Sequence, residues 1–180
     1  MIYLFLADGF ETVEALCPLD LLRRAGADVK TVGVTGQAVT SRQGVTVTAD
    51  VGIDEISVSD APEMLILPGG IPGADNLDAS DKVSEMILDG ARRGAFLAAI
   101  CAAPLILGEL GLLDGKEAVC YPGFEKHLKG AKISTEKVAV DGRYITGKGM
   151  GVALEFGLAL VEALVSEEKA DELYAAFQAG

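Results

Sequence analysis

Short aliphatic runs recur along this chain with amphipathic stretches between them, and this alternation limits the possible folds more than any other feature. Residues 2–7 read as a strand. Residues 11–25 read as a helix closed by Gly26, with Pro18 expected to kink it, and 29–34 as a second strand. Residues 45–51 alternate Val and Thr, the pattern of a half-exposed strand or hairpin arm. Met64–Leu67 is a short buried strand that stops at Pro68-Gly69-Gly70. A helix over 82–93 and a strand over Phe96–Ile100 follow, and a short helix is expected over 105–110. Residues 137–146 predict a hairpin around Asp141-Gly142, a favoured turn pair. Two further helices are expected over 152–165 and 167–178. Strands alternating with helices imply an α/β fold: a mostly parallel sheet with helices on both faces. With no long linker, low-complexity tract or repeat, one domain is expected over residues 1–180.

Packing must be largely aliphatic, because half the residues are apolar and Trp is absent. Fifteen basic against 27 acidic residues give a net charge of −12. That balance argues against nucleic acid or an anionic membrane as partner, since both need clustered Lys and Arg. Neither a leader peptide pattern nor the roughly 18 apolar residues of a membrane span is read in the chain. Cys17, Cys101 and Cys120 are odd in number and lack metal-ligand spacing, and His127 is the one histidine. A structural metal is not expected, and a reducing, cytoplasmic setting fits best.

In parallel sheets of this kind, ligands bind beyond the carboxyl ends of the strands. Three loops should meet there: residues 8–11 with Glu14 just beyond, residues 68–73, and the turn at Cys101. Cys101 sits between strand and helix among Ala99, Ala102 and Ala103, the layout of a nucleophile elbow. The helix N-terminus there would favour thiolate. The alternative is a buried core cysteine. Glu11 and Glu14 share a helix face. Asp8 and Glu11 resemble a capping box, which Glu14 does not join. If Glu14 faces Cys101 it serves as general base or as a protonated donor with a raised pKa; otherwise it is an ordinary solvated carboxylate. The N–H groups of the Gly69-Gly70 turn could join that of Ala102 as an oxyanion hole, the alternative being a plain turn. Residues 147–151 are glycine-rich but follow a hairpin arm, so a dinucleotide role is discounted. His127 reads as a surface residue. Cys17 and Cys120 read as packing residues, with Cys120-Tyr121-Pro122 placed to border the pocket.

Taken together, these segments resemble the ThiJ/PfpI family, in the branch of the human parkinsonism-associated deglycase (the DJ-one group). The matching residues are Gly9-Phe10-Glu11 with Glu14, Pro18-Leu19-Asp20 with Arg23-Arg24-Ala25-Gly26, Leu67-Pro68-Gly69-Gly70, the run from Ala98 to Pro104, and Glu155-Phe156. The resemblance implies a flavodoxin-like three-layer sandwich, a homodimer and a reactive role for Cys101. It implies an interacting, protonated Glu14 and backbone oxyanion donors at Gly70 and Ala102. It also implies cofactor-free conversion of small reactive aldehydes, glyoxal or methylglyoxal, to the hydroxy acid, with deglycation and oxidant sensing as further activities. Three departures stand out. Ala102 replaces the His of the protease-like branch, which removes a Cys-His dyad and speaks against peptidase activity. Tyr121 stands where the human relative has a His before the proline. Lys148 and Met150 replace an Arg and a Pro of the late glycine-rich loop. Two readings follow, an enzyme acting on α-oxoaldehydes and a non-enzymatic redox sensor or chaperone. A glutamine amidotransferase-like domain needs a His-x-Glu partner that His127-Leu128-Lys129 does not supply.

Overall fold

A computed structural model describes residues 1–178. The strands are β1 (Ile2–Leu6), β2 (Val29–Gly33), β3 (Ala38–Thr40), β4 (Thr46–Thr48), β5 (Val51–Gly52), β6 (Met64–Leu67), β7 (Phe96–Ile100), β8 (Glu117–Ala118), β9 (Lys132–Ile133), β10 (Val138–Asp141) and β11 (Tyr144–Gly147). The helices are α1 (Thr12–Arg24), α2 (Gly73–Asp78), α3 (Asp81–Arg93), α4 (Pro104–Glu109), α5 (Ala153–Leu164) and α6 (Glu167–Ala176).

Seven strands form the central sheet in the order β10-β11-β7-β6-β1-β2-β5. Every pairing in it is parallel except that of β10 with β11. The period-two geometry of a strand divides its side chains between two cores. Ile2, Leu4 and Leu6 of β1 pack with Leu21 and Leu22 of α1, Phe156 and Leu160 of α5, and Leu173 of α6. Tyr3 and Phe5 of β1 pack on the other side with Leu77 of α2, Met86 and Ile87 of α3, and Ile106 of α4. Both faces are therefore covered, which is why β1, β6 and β7 read as unbroken apolar runs. Each large side chain buried this way contributes about 1.5–3 kcal/mol.

The local readings are refined at four points. α1 runs unbroken through Pro18, with Glu11 as its N-cap and no side-chain bond at the cap. The expected capping box is therefore absent. Asp8 lies three positions before the cap, and its Oδ1 accepts from Thr40 N–H at 2.8 Å, tying β1 to the small β3–β4 hairpin. The β10–β11 turn is centred on Gly142–Arg143, because Asp141 pairs with Tyr144. Gly142 alone takes positive φ there, 62°, the pattern of a two-residue turn with Gly first. α2 was not anticipated: it is only six residues long and begins at Gly73, within the stretch 68–73 that reads as a loop.

Candidate active site

β1 leads one way to β2, while β6 and β7 lie on its other side, so the sheet order reverses between β1 and β6. A crevice opens at the carboxyl ends of strands at such a reversal. The three expected loops meet in it. The N–H of Glu11 donates to the Gly69 carbonyl at 2.9 Å, joining the first loop to the second. The N–H of Gly69 donates to Glu14 Oε2 at 3.0 Å.

Cys101 follows β7 directly. Its N–H donates to the Gly147 carbonyl at 2.9 Å, and its carbonyl accepts from Tyr121 N–H at 2.8 Å. Held between these, the residue adopts φ of 64°, the left-handed region. For a side-chain-bearing residue this costs about 1–2 kcal/mol, and such conformations cluster at functional sites. A Cβ on Gly69 would lie 2.6 Å from both Cys101 Cβ and Glu14 Oε2, so a side chain there would displace one of them. Gly70 turns at φ of 87°, which a side chain would strain.

Cys101, Glu14, Gly70 and Ala102 line one cavity of ≈ 280 Å³, together with Glu11, Arg42, Ile71, Tyr121, Phe124 and Met150. The backbones of Gly70 and Ala102 lie beside Cys101 in this lining, and both act to lower its thiol. Glu14 has no exposed surface. Its Oε1 is the one buried side-chain oxygen or nitrogen among the described residues without a hydrogen bond of ordinary geometry. Burial is the largest influence on this carboxyl and pushes it up to about 7, with the charge of Glu11 adding to the rise. Interaction with Cys101 and the N–H groups of Gly69 and Met150 partly offset that rise.

The helix-terminus argument for a thiolate at Cys101 does not hold. Burial first, then the charge and hydrogen bond of Glu14, push the thiol up to about 12, against the lowering by Gly70 and Ala102 N–H. α4 is only six residues long, too short to outweigh burial. Burial and the neighbouring Glu14 together disfavour the thiolate at Cys101. Cys120 is likewise pushed up to about 11, chiefly by burial. Burial also raises Cys17.

His127 lies outside the cavity lining, with Nδ1 2.9 Å from Glu109 Oε1. Glu11 points partly to the β3–β4 hairpin, its Oε2 accepting from Gln43 Nε2 at 2.7 Å. Arg42, Ile71 and Phe124 were not singled out in the sequence. Arg42 arrives on the β3–β4 turn, where its N–H donates to the Phe10 carbonyl at 2.9 Å. The discounted 147–151 loop also belongs here: β11 is a hairpin arm and at the same time pairs in parallel with β7, which brings the loop to the carboxyl edge. A larger cavity of ≈ 320 Å³, lined by Glu63, Arg93, Phe96 and Arg143 among others, lies at the opposite edge and holds no nucleophilic side chain. Among the described residues no cluster of three or more His, Cys, Asp or Glu is arranged to hold a metal ion. None of the helices described is long and apolar enough to cross a membrane.

The sequence profile of the DJ-1/PfpI family matches residues 1–163. The chain belongs to this family. It is 34% identical over 171 residues to Protein dj-1beta of Drosophila melanogaster, covering 93% of this chain and 91% of that one. It is 39% identical over 170 residues to Protein DJ-1 homolog B of Arabidopsis thaliana, covering 93% of this chain. It spans only 39% of the length of that relative and 44% of the length of Protein DJ-1 homolog A from the same plant. Glutathione-independent glyoxalase DJR-1.2 of Caenorhabditis elegans is 30% identical over 164 residues, which are 91% of this chain and 87% of that one. Among solved structures, Toxoplasma gondii DJ-1, oxidized, superposes with a TM-score of 0.94 at 33% identity, covering 98% of this chain and 97% of that one. The mostly parallel sheet and its helices are thus the α/β fold of DJ-1 proteins.

Proposed function

We propose that this chain is a cofactor-independent enzyme that uses Cys101 to convert α-oxoaldehydes, methylglyoxal foremost, to the 2-hydroxy acid. One observation carries the reading: a fully buried carboxyl pushed up to about 7 stands beside a cysteine in a cavity that the backbones of Gly70 and Ala102 also line. The name of the C. elegans relative, a glutathione-independent glyoxalase, supports it.

The chemistry balances without an external redox partner. Ionised Glu14 takes the Sγ proton as sulfur bonds to the aldehyde carbon, and the carbonyl electron pair moves onto oxygen. Gly70 and Ala102 N–H, in the lining of the same cavity, stabilise that oxyanion. Its protonation gives a hemithioacetal. Glu14 then removes the proton from the former aldehyde carbon, and a proton is returned to the neighbouring carbon. The first carbon reaches the acyl level while the ketone becomes an alcohol, so both electrons stay within the substrate. Water cleaves the resulting thioester, releases the hydroxy acid and restores the thiol. Peptidase chemistry has no support, because Ala102 follows the nucleophile and His127 is engaged with Glu109.

The test is a steady-state assay in which lactate itself is quantified, since thiols and amines trap aldehyde reversibly. Wild type should form lactate and Cys101→Ser should not. Equal lactate from both would remove the proposal.

A second reading is redox sensing, favoured by the same two N–H groups. They and a protonated Glu14 suit the oxygens of a cysteine sulfinate. Peroxide titration followed by peptide mass analysis distinguishes it: a sulfinate at Cys101 without lactate formation supports sensing alone. A homodimer in a reducing, cytoplasmic setting completes the proposal, with α1 as a contributing surface: Val13 is 43% exposed there and Cys17 is partly exposed.

A further inference from the structure

Methylglyoxal leaves most of the Cys101 cavity unfilled, and the cavity continues beyond it. A neighbouring groove of ≈ 310 Å³ shares Tyr121 and Met150 with the cavity, and Pro122, Lys148 and Val152 contribute to its remaining wall. Lys148 is its one charged side chain. Tyr121 is 51% exposed and Met150 54%, although both have large apolar surfaces.

Both residues sit next to the reacting groups. Tyr121 N–H donates to the Cys101 carbonyl at 2.8 Å. Met150 lines the cavity that holds the Glu14 carboxyl. Gly149 lies between them: a Cβ there would sit 4.0 Å from Cys101 Sγ and 3.2 Å from the Tyr121 ring. The bare glycine keeps a passage open from the sulfur to the ring. With the aldehyde oxygen on Gly70 and Ala102 N–H and Glu14 beside the sulfur, this passage is where the rest of the substrate leaves the cavity.

We propose that the groove seats the carbon tail of the oxoaldehyde, with Tyr121 and Met150 as specificity-determining residues, so that long alkylglyoxals are preferred over methylglyoxal. This inference rests on the enzyme reading above. A planar ring and a flexible thioether suit an apolar tail of variable shape. Each methylene fully removed from water is worth about fourfold in affinity, and a tail left partly open to solvent gains less per carbon.

The experiment compares pentylglyoxal with methylglyoxal by kcat/KM, each read as hydroxy acid formed, in wild type, Tyr121→Ala, Tyr121→Phe and Met150→Ala. Wild type should favour pentylglyoxal by about tenfold, mostly through KM. Tyr121→Ala and Met150→Ala should each lose most of that ratio, and Tyr121→Phe should keep it. A second arm does not depend on turnover: the rate of Cys101 alkylation by N-hexyl iodoacetamide relative to iodoacetamide, followed by mass analysis. That ratio should exceed one in wild type and fall in the same variants. If wild type converts neither aldehyde, the enzyme reading fails, and the alkylation ratio alone decides the groove. Wild-type ratios near one in both arms, or ratios unmoved by Tyr121→Ala and Met150→Ala, would overturn the proposal. So would variants that change sedimentation but not the ratios, since the groove would then be covered by a second copy of the chain.

Discussion

A carboxyl without exposed surface, one oxygen on the Gly69 N–H and the other unpartnered, is costly to ionise. Glu14 has an ordinary value of 4.5 and is pushed up to about 7 in the fold, so between these values the folded chain holds a proton that the unfolded chain has released. Stability from this group is therefore complete below about pH 4.5 and is lost as pH rises through 7, a swing of about 3 kcal/mol. Glu14→Gln cannot ionise, so its stability relative to wild type should rise by about that amount between pH 4.5 and 8, measured by urea unfolding. A relative stability independent of pH would mean that Glu14 does not titrate in this window. Gly69→Ala tests the crowding around the same carboxyl. Its new Cβ would fall 2.6 Å from Cys101 Cβ and from Glu14 Oε2, and one of them must move. Turnover should drop on the order of 10²-fold, because small misplacements of reacting groups cost that much. Full turnover in Gly69→Ala would show that the two side chains need not keep their present spacing.

Among the elements, α1 matters most because it carries Glu14, and α5 holds it in place. The two are in tight contact at Gly157, where a Cβ would meet Leu21 Cδ1 at 2.5 Å and Pro18 Cα at 3.0 Å. Gly157→Ala overpacks that contact and should destabilise the fold by about 1–3 kcal/mol, read from the urea midpoint. It should also weaken turnover by shifting α1. A variant as stable as wild type would show that the helices can separate without penalty. The β3–β4 hairpin shows a different kind of control. Thr12 Oγ1 donates to Ser41 Oγ at 2.8 Å and Gln43 Nε2 to Glu11 Oε2 at 2.7 Å, so the start of α1 fixes the turn that brings Arg42 to the cavity. The alternation of Val and Thr announces the hairpin. It cannot say that its tip folds over α1, because the contacts joining them span about thirty positions.

At the scale of the whole molecule, the continuous burial of β1, β6 and β7 was legible because fully buried strands must be aliphatic on both faces. From that followed the parallel sheet, its carboxyl edge and the meeting of three loops there, whereas the sequence left open whether Glu14 faces Cys101. What stayed hidden depends on pairing rather than on local pattern. The loop after β11 enters the site because β11 lies parallel to β7, a fact that the hairpin signal masks. The raised Cys101 thiol was hidden for a similar reason. A helix N-terminus is visible in sequence, whereas the burial that outweighs it is not. The assembly is tested by sedimentation at micromolar concentration. Two 18.7 kDa chains per particle are expected, and a single 18.7 kDa species would remove the homodimer.

The central claim is that Glu14 and Cys101 act as one proton-transferring pair, and its most direct test is the pH dependence of kcat/KM for lactate formation. The wild-type rate should rise with pH through about 7, as Glu14 ionises and becomes able to take the thiol proton. Glu14→Gln should lose on the order of 10²-fold in rate and that rising limb with it. A Glu14→Gln variant that keeps both the full rate and the limb would contradict the account.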